Sequence, residues 1–184
     1  MLLHSKDIAT DWMKFGTMFI MAQWLSGGSL MDRSWMLSSL FTLIGFAVYH
    51  LTVRNFIKPE LTGKKQAIAN DWLKVGTMLI VARLLSGGSL IDSGWFRSSM
   101  AVLVGFTVYN IIVSDHIQGN KLTYDNKLKS VIDDWAKVGT MLAVSRVLSC
   151  EDMLDPKWII TAFGTLFGFT VYDLGTSHLI DLLF

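Results

Sequence analysis

The residues whose types and spacing could do chemistry are three Asp-x-x-Lys pairs, Asp11/Lys14, Asp71/Lys74 and Asp134/Lys137. A spacing of three puts both members of a pair on one helical face. One use would be a ring of charge around a threefold pore. The simpler use is interfacial ion pairing, with each aspartate matched to a positive helix N-terminus. Because surface ion pairs are common and individually weak, the simpler use is the default expectation. A second constellation is Arg83 with Asp92 and Arg146 with Asp155, each nine residues apart. These are expected to pair across a turn and pin it. Gln23 stands at the matching place nearer the N-terminus, so an exact three-fold charged gate is already broken.

Other chemistry is sparse. His4, His50, His116 and His178 are scattered and lack metal-ligand spacing. Gly27-Gly28 carries no following lysine, which argues against a phosphate loop. No nucleophile stands with a base at motif spacing. Cys150 reads as a glycine replaced at a helix end rather than a catalytic thiol. The expectation is a non-enzyme with no cofactor, no metal and no small-molecule substrate.

The elements that must position these charges belong to a triplicated unit. Asp-Trp opens each copy at Asp11, Asp71 and Asp134, Lys-x-Gly-Thr-Met follows, and Gly-Phe-x-Val-Tyr closes at Tyr49, Tyr109 and Tyr172. Asp-to-Tyr spacing is 38 in every copy, so none carries an insertion. The repeats are 11–53, 71–113 and 134–176, with linkers 54–70 and 114–133, in a single domain over 1–184. Each copy reads as two helices. The first is expected from the Asp-Trp pair to Ser26, Ser86 or Ser149, capped by Thr10, Asn70 or Asp133. Gly27-Gly28 and Gly87-Gly88 then break it. Asp32, Asp92 and Asp155 are expected to cap the second helix, and Pro156 fits the first helical position after Asp155. In copy one the second helix is expected from about Arg33 to Val53. Gly16, Gly76 and Gly139 on first helices, and Ala101/Gly105 and Gly164/Gly168 on second helices, are small residues that would let helices approach.

Composition points to a bilayer. Hydrophobic residues are 52% and charged residues 17%, against about 25% charged in a typical soluble domain. Mean hydropathy is +0.44. A net charge of +1 gives no field to collect nucleic acid, so no nucleic-acid partner is expected. Residues 34–53, 98–114 and 158–172 are free of Asp, Glu, Lys and Arg. A crossing helix needs about 20 mostly apolar residues, so the first stretch qualifies, the second is marginal and the third is short. Trp12, Trp72 and Trp135, with the three closing tyrosines, would mark one interface, and Trp35, Trp95 and Trp158 the other. Residues 1–10 lack a signal-peptide layout, so insertion is expected through the internal helices. Arg33, Arg83, Arg97, Arg146 and Lys157 lie toward the hairpin tips; the other eleven of the 16 basic residues, Lys58 and Lys121 among them, lie at the N-terminus, linkers and helix starts. That bias puts the linker side in the cytoplasm. Residues 173–184 are too short to span and are expected along the interface.

The run Asp-Trp-x-Lys-Val-Gly-Thr-Met-Leu, then Ala-Arg or Ser-Arg, Leu-Ser-Gly-Gly-Ser-Leu and Gly-Phe-x-Val-Tyr, resembles short membrane-protein repeats of large nucleocytoplasmic DNA viruses. The resemblance covers about residues 8–175 and is clearest at 71–109; copy three departs from it at Cys150-Glu151-Asp152-Met153. It implies a virion membrane protein, a minor structural component linking an internal or host-derived membrane to the capsid, with lipid and other capsid proteins as partners. No catalytic residues come with it. The expected fold class is all-α and polytopic: three tandem two-helix hairpins, six helices, with a pseudo-threefold repeat. The competing function is a small six-helix channel or transporter, which should place polar residues on a common mid-membrane axis. A soluble helical repeat buried in a larger assembly is the third possibility.

Overall fold

A computed structural model describes residues 2–56, 62–119 and 126–183. The basic residues Lys58 and Lys121, placed above on the linker side, lie outside the described residues, as does Phe184. The described chain is helical, with no strand among its residues. Helix α1 spans Leu2–Leu25 and α2 Arg33–Leu51, followed by a 3-10 turn at Val53–Phe56. Helix α3 spans Gly63–Leu85 and α4 Ser93–Val108; a π-helical turn, Tyr109–Val113, joins α4 to α5, Ser114–Gly119. Helix α6 spans Asn126–Leu148 and α7 Pro156–Val171, and a second π turn, Tyr172–Thr176, leads into α8, Ser177–Leu183.

The first helices begin well before the Asp-Trp pairs. Thr10, Asn70 and Asp133 therefore lie inside helices and cap nothing; Thr10 donates its hydroxyl to the Lys6 carbonyl one turn back, at 2.8 Å. The physical reason is the linker composition. Lys64-Lys65-Gln66-Ala67 are good helix formers, and after Gly63, which has a φ of +59°, nothing breaks the helix. The second linker is shorter than expected at its other end too, because a π turn carries the second helix of copy two onward into α5. The tail continues α7 as α8, packs on α1 and buries Ile180.

The second-helix starts are as the sequence reads. Asp32 and Asp92 accept from the backbone N–H of Trp35 and Trp95 at 2.8 and 2.7 Å, and Asp155 accepts from that of Lys157 at 3.0 Å, with Pro156 in the first turn. The first helices end on a left-handed residue, Gly27 and Gly87 at φ +74° and Cys150 at φ +56°. A side chain in that region costs about 1–2 kcal/mol. Cys150→Gly is therefore expected to raise stability by about 0.5–1 kcal/mol after the greater freedom of glycine in the unfolded chain is subtracted, read as a higher unfolding midpoint in detergent.

The two helices of one hairpin touch each other less than they touch the next hairpin. Helix α2 packs along α3, α4 along α6, and α7 returns to pack along α1, so the three hairpins close on themselves. One motif makes each contact. The glycine of Gly-Phe-x-Val-Tyr, at Gly45, Gly105 and Gly168, lies on the backbone of Met78, Met141 and Met18, the methionine that ends Lys-x-Gly-Thr-Met in the neighbouring copy. A β-carbon at Gly45 or Gly105 would sit 2.6 or 2.7 Å from the methionine Cα. Gly164 makes a second such approach, to Ala22. Gly16, Gly76 and Gly139 do not serve helix approach: nothing lies within 4 Å of where their β-carbons would be.

Phe46 and Phe169 are the large side chains fully removed from the surface. Phe15 stacks on Phe46, with ring centroids 4.2 Å apart, and meets Phe169 edge-on at 5.7 Å. Outside this centre many apolar side chains lie at the surface. Thirty-one large hydrophobic side chains are exposed among the described residues, against twelve buried hydrophobic ones. That is the reverse of what burial from water would produce. Three helical stretches are long and apolar enough to cross a membrane, Arg33–Leu51, Ser93–Ile117 and Pro156–Ile180. The last two reach that length because the helix runs through the π turns. The first helices are 23 or 24 residues long but are interrupted by their own charges.

Candidate functional site

The Asp-x-x-Lys residues are brought together, but not within a copy. Lys74 Nζ reaches Asp11 Oδ1 at 2.7 Å, Lys137 Nζ reaches Asp71 Oδ1 at 2.7 Å, and Lys14 pairs with Asp134. Each lysine thus bonds the aspartate of the preceding copy, and copy one bonds copy three. The helical face predicted from the spacing is real, but it presents the two charges to two different neighbours. The result is a closed set of three ion pairs at the linker ends of the helices.

Each lysine is also roofed by aromatic rings from the same neighbouring copy. Lys74 Nζ lies 5.5 Å from the Phe46 ring centre, Lys137 5.7 Å from Phe106 and 5.9 Å from Tyr109, and Lys14 5.4 Å from Phe169 and 5.8 Å from Tyr172. These distances are in the range of cation–π attraction. The Gly-Phe-x-Val-Tyr motif therefore has two jobs. Its glycine admits the neighbouring helix, and its rings cover that helix's lysine.

Every repeat aspartate is met by a third residue, the one directly after the closing tyrosine. His50 Nε2 lies 2.7 Å from Asp11 Oδ2, and Asn110 Nδ2 donates to Asp71 Oδ2 at 2.7 Å. Asp173 occupies that place in copy three, against Asp134. The sequence reading gives none of these three a place beside the aspartates and takes His50 only as a scattered histidine. The available signal was a polar residue, different in each copy, held at one position after a constant motif on an otherwise apolar helix. Asp11, His50, Asn110 and Asp173 are all buried.

The hairpin tips hold the second constellation. Arg83 pairs with Asp92 at 3.5 Å and Arg146 with Asp155 at 3.2 Å. Both arginines also donate Nε to a loop carbonyl, that of Ser89 at 3.2 Å and Asp152 at 3.0 Å, and both lie over a tryptophan, Trp95 or Trp158. Gln23 donates Nε2 to the Ser29 carbonyl at 3.0 Å, so the uncharged copy keeps the loop bond and loses only the ion pair. Arg146 pairs in addition with Glu151, a residue that the departure of copy three supplies. Beyond each tip an apolar side chain projects almost freely: Met31, Ile91 and Leu154.

Two further hollows line the bundle. A polar groove of about 510 Å³ lies between hairpins one and two, lined by Asp7, Tyr49, His50, Arg54, Asn70 and Lys74 among others. An apolar groove of about 250 Å³ lies within hairpin two, between α3 and α4. Among the described residues no three His, Cys, Asp or Glu side chains are grouped to hold a metal ion. No protein-family model, curated protein or solved structure matches this chain.

Proposed function

We propose that this chain is a polytopic structural membrane protein: three tandem hairpins, six membrane-embedded helices, related by a pseudo-threefold axis along the membrane normal. The observation that carries this reading is the distribution of polarity. The charges at the linker ends are paired inward, and the outer faces of α2, α4 and α7 are apolar, with Leu37, Leu40, Phe96, Ile159 and Phe163 exposed. In water that arrangement would be costly, whereas in lipid it leaves little unsatisfied. The basic bias of the linkers supports a cytoplasmic linker side. The repeat motif supports a virion role, with the chain linking an internal or host-derived membrane to capsid proteins through its tips or linkers. The paired charges and the packed Phe15, Phe46 and Phe169 favour a structural role over a conducting one, since the repeat lysines Lys14, Lys74 and Lys137 are each held by an aspartate.

Fractionation of the native source, first without detergent, then with a mild one, tests this reading. Release without detergent ends the membrane reading. Release by detergent as a small discrete species favours a freestanding channel or transporter. Retention in a large protein shell after the lipid is stripped is the expected result. Crossing is tested separately through the single cysteine. Cys150 is exposed at a tip, so in sealed vesicles an impermeant thiol reagent should reach it from the face opposite to a cysteine introduced at Thr62 in a cysteine-free background. Labelling of both from one face would mean re-entrant hairpins.

A further inference from the structure

Copies one and two satisfy their repeat aspartate in the same way. A lysine from the next copy takes Oδ1, and a side-chain nitrogen of the same copy faces Oδ2, from His50 in copy one and Asn110 in copy two. Copy three keeps the lysine, Lys14. At the third place it has Asp173, whose carboxyl lies against that of Asp134. An ionised carboxylate has no hydrogen to donate. Asp173 Oδ1 accepts from Ser130 Oγ at 3.1 Å, while Asp173 Oδ2 is buried and has no partner. Asp173 is 6% exposed. The charged groups that face it are Asp134 from α6 and Lys14 from α1. Two carboxylates and one ammonium leave one negative charge uncompensated in a buried place, which is costly.

We propose that the Asp134–Asp173 pair is a proton-binding site that takes up one shared proton as pH falls below neutral. The proton comes from solvent and bonds to one carboxylate oxygen. The resulting O–H donates to the facing carboxylate, which restores the donor that His50 and Asn110 supply in the other copies. Charge then balances, with one carboxylate for the one ammonium. The site lies where the last hairpin meets the first, so the α1–α7 closure depends on that proton. When the proton leaves to solvent, the two carboxylates repel and the closure loosens. The inference stands on the comparison of the three copies and does not depend on the virion role.

The full-length protein in mild detergent tests it by infrared spectroscopy of the protonated-carboxyl C=O stretch and by unfolding measured against pH. The expected result is a protonated-carboxyl band at mildly acidic pH that fades as pH rises through neutral and is missing from Asp173→Asn. The sign of the stability change follows from proton linkage. The folded state holds a proton that the unfolded state releases, so raising pH weakens folding, by up to about tenfold in the folding equilibrium per pH unit for one proton. Asp173→Asn supplies a permanent N–H donor, as Asn110 does, and should remove that part of the slope. Absence of the band in the wild-type protein at mildly acidic pH overturns the proposal, even if the variant fails to fold. A band unchanged in Asp173→Asn overturns it as well, and so does stability at constant pH that rises with sodium, which would make the neutralising ion a metal cation.

Discussion

Asp11→Ala is expected to cost about 2–4 kcal/mol of stability, the low side of the range for breaking a buried pair, because Lys74 keeps some solvent contact. Asp11 is 6% exposed and receives both Lys74 and His50. Removing it leaves an ammonium under the Phe46 ring and a buried imidazole, neither with its carboxylate. The loss should appear at the α2–α3 contact, because Lys74 belongs to α3 and His50 to α2. Asp7→Ala is the informative partner variant. Asp7 pairs with Arg54, but both side chains are more than a third exposed. An exposed pair is worth about 0–1 kcal/mol, and water replaces the lost contact. The check is denaturant unfolding of both variants in the same detergent. Equal losses would mean that the repeat aspartates are no more than surface charges.

Gly105→Ala is the second large effect, with about 1–3 kcal/mol lost from overpacking. The added carbon would stand 2.7 Å from the Met141 Cα, and backbone on both sides cannot rotate away. The helices must separate, and separation lifts Phe106 and Tyr109 off Lys137 at the same time. Gly76→Ala is expected to do the opposite. Its β-carbon meets nothing within 4 Å, and alanine in place of glycine inside a helix gains about 0.8–1 kcal/mol. Unfolding midpoints should therefore move in opposite directions for the same chemical change at two glycines of one repeat. A shared direction would show that α4 and α6 are not in this contact.

These variants also mark what the sequence could disclose. The hairpin tips were legible because their determinants are local: a capping aspartate two or three residues before its N–H partner, proline after Asp155, and an arginine within reach of a nine-residue turn. The starts of the first helices were not, since Thr10, Asn70 and Asp133 carry good capping side chains while the residues before them are already good helix formers, and elongation prevailed over the cap. The charge ring was half legible. Spacing put Asp71 and Lys74 on one face, but no feature internal to one helix says which neighbour that face meets. Among glycines the motif could not separate the two kinds, because Gly76 and Gly105 both sit in apolar helices and differ only in what lies opposite. The π turns left no mark in the residue pattern that periodicity would detect.

The closure of α7 onto α1 has a consequence for assembly. The contact between successive hairpins is heterologous: the face offered by α2 or α4 differs from the face of α3 or α6 that receives it. Such head-to-tail contacts end only if the rotation they impose returns to its start. Here it does so after three units, which leaves no donor or acceptor face over. A chain with its seam open would present α7 at one end and α1 at the other, each complementary to the opposite end of another copy. The same three contacts that make a self-contained unit would then propagate as a linear polymer, so closure of the seam selects between a discrete particle and a filament.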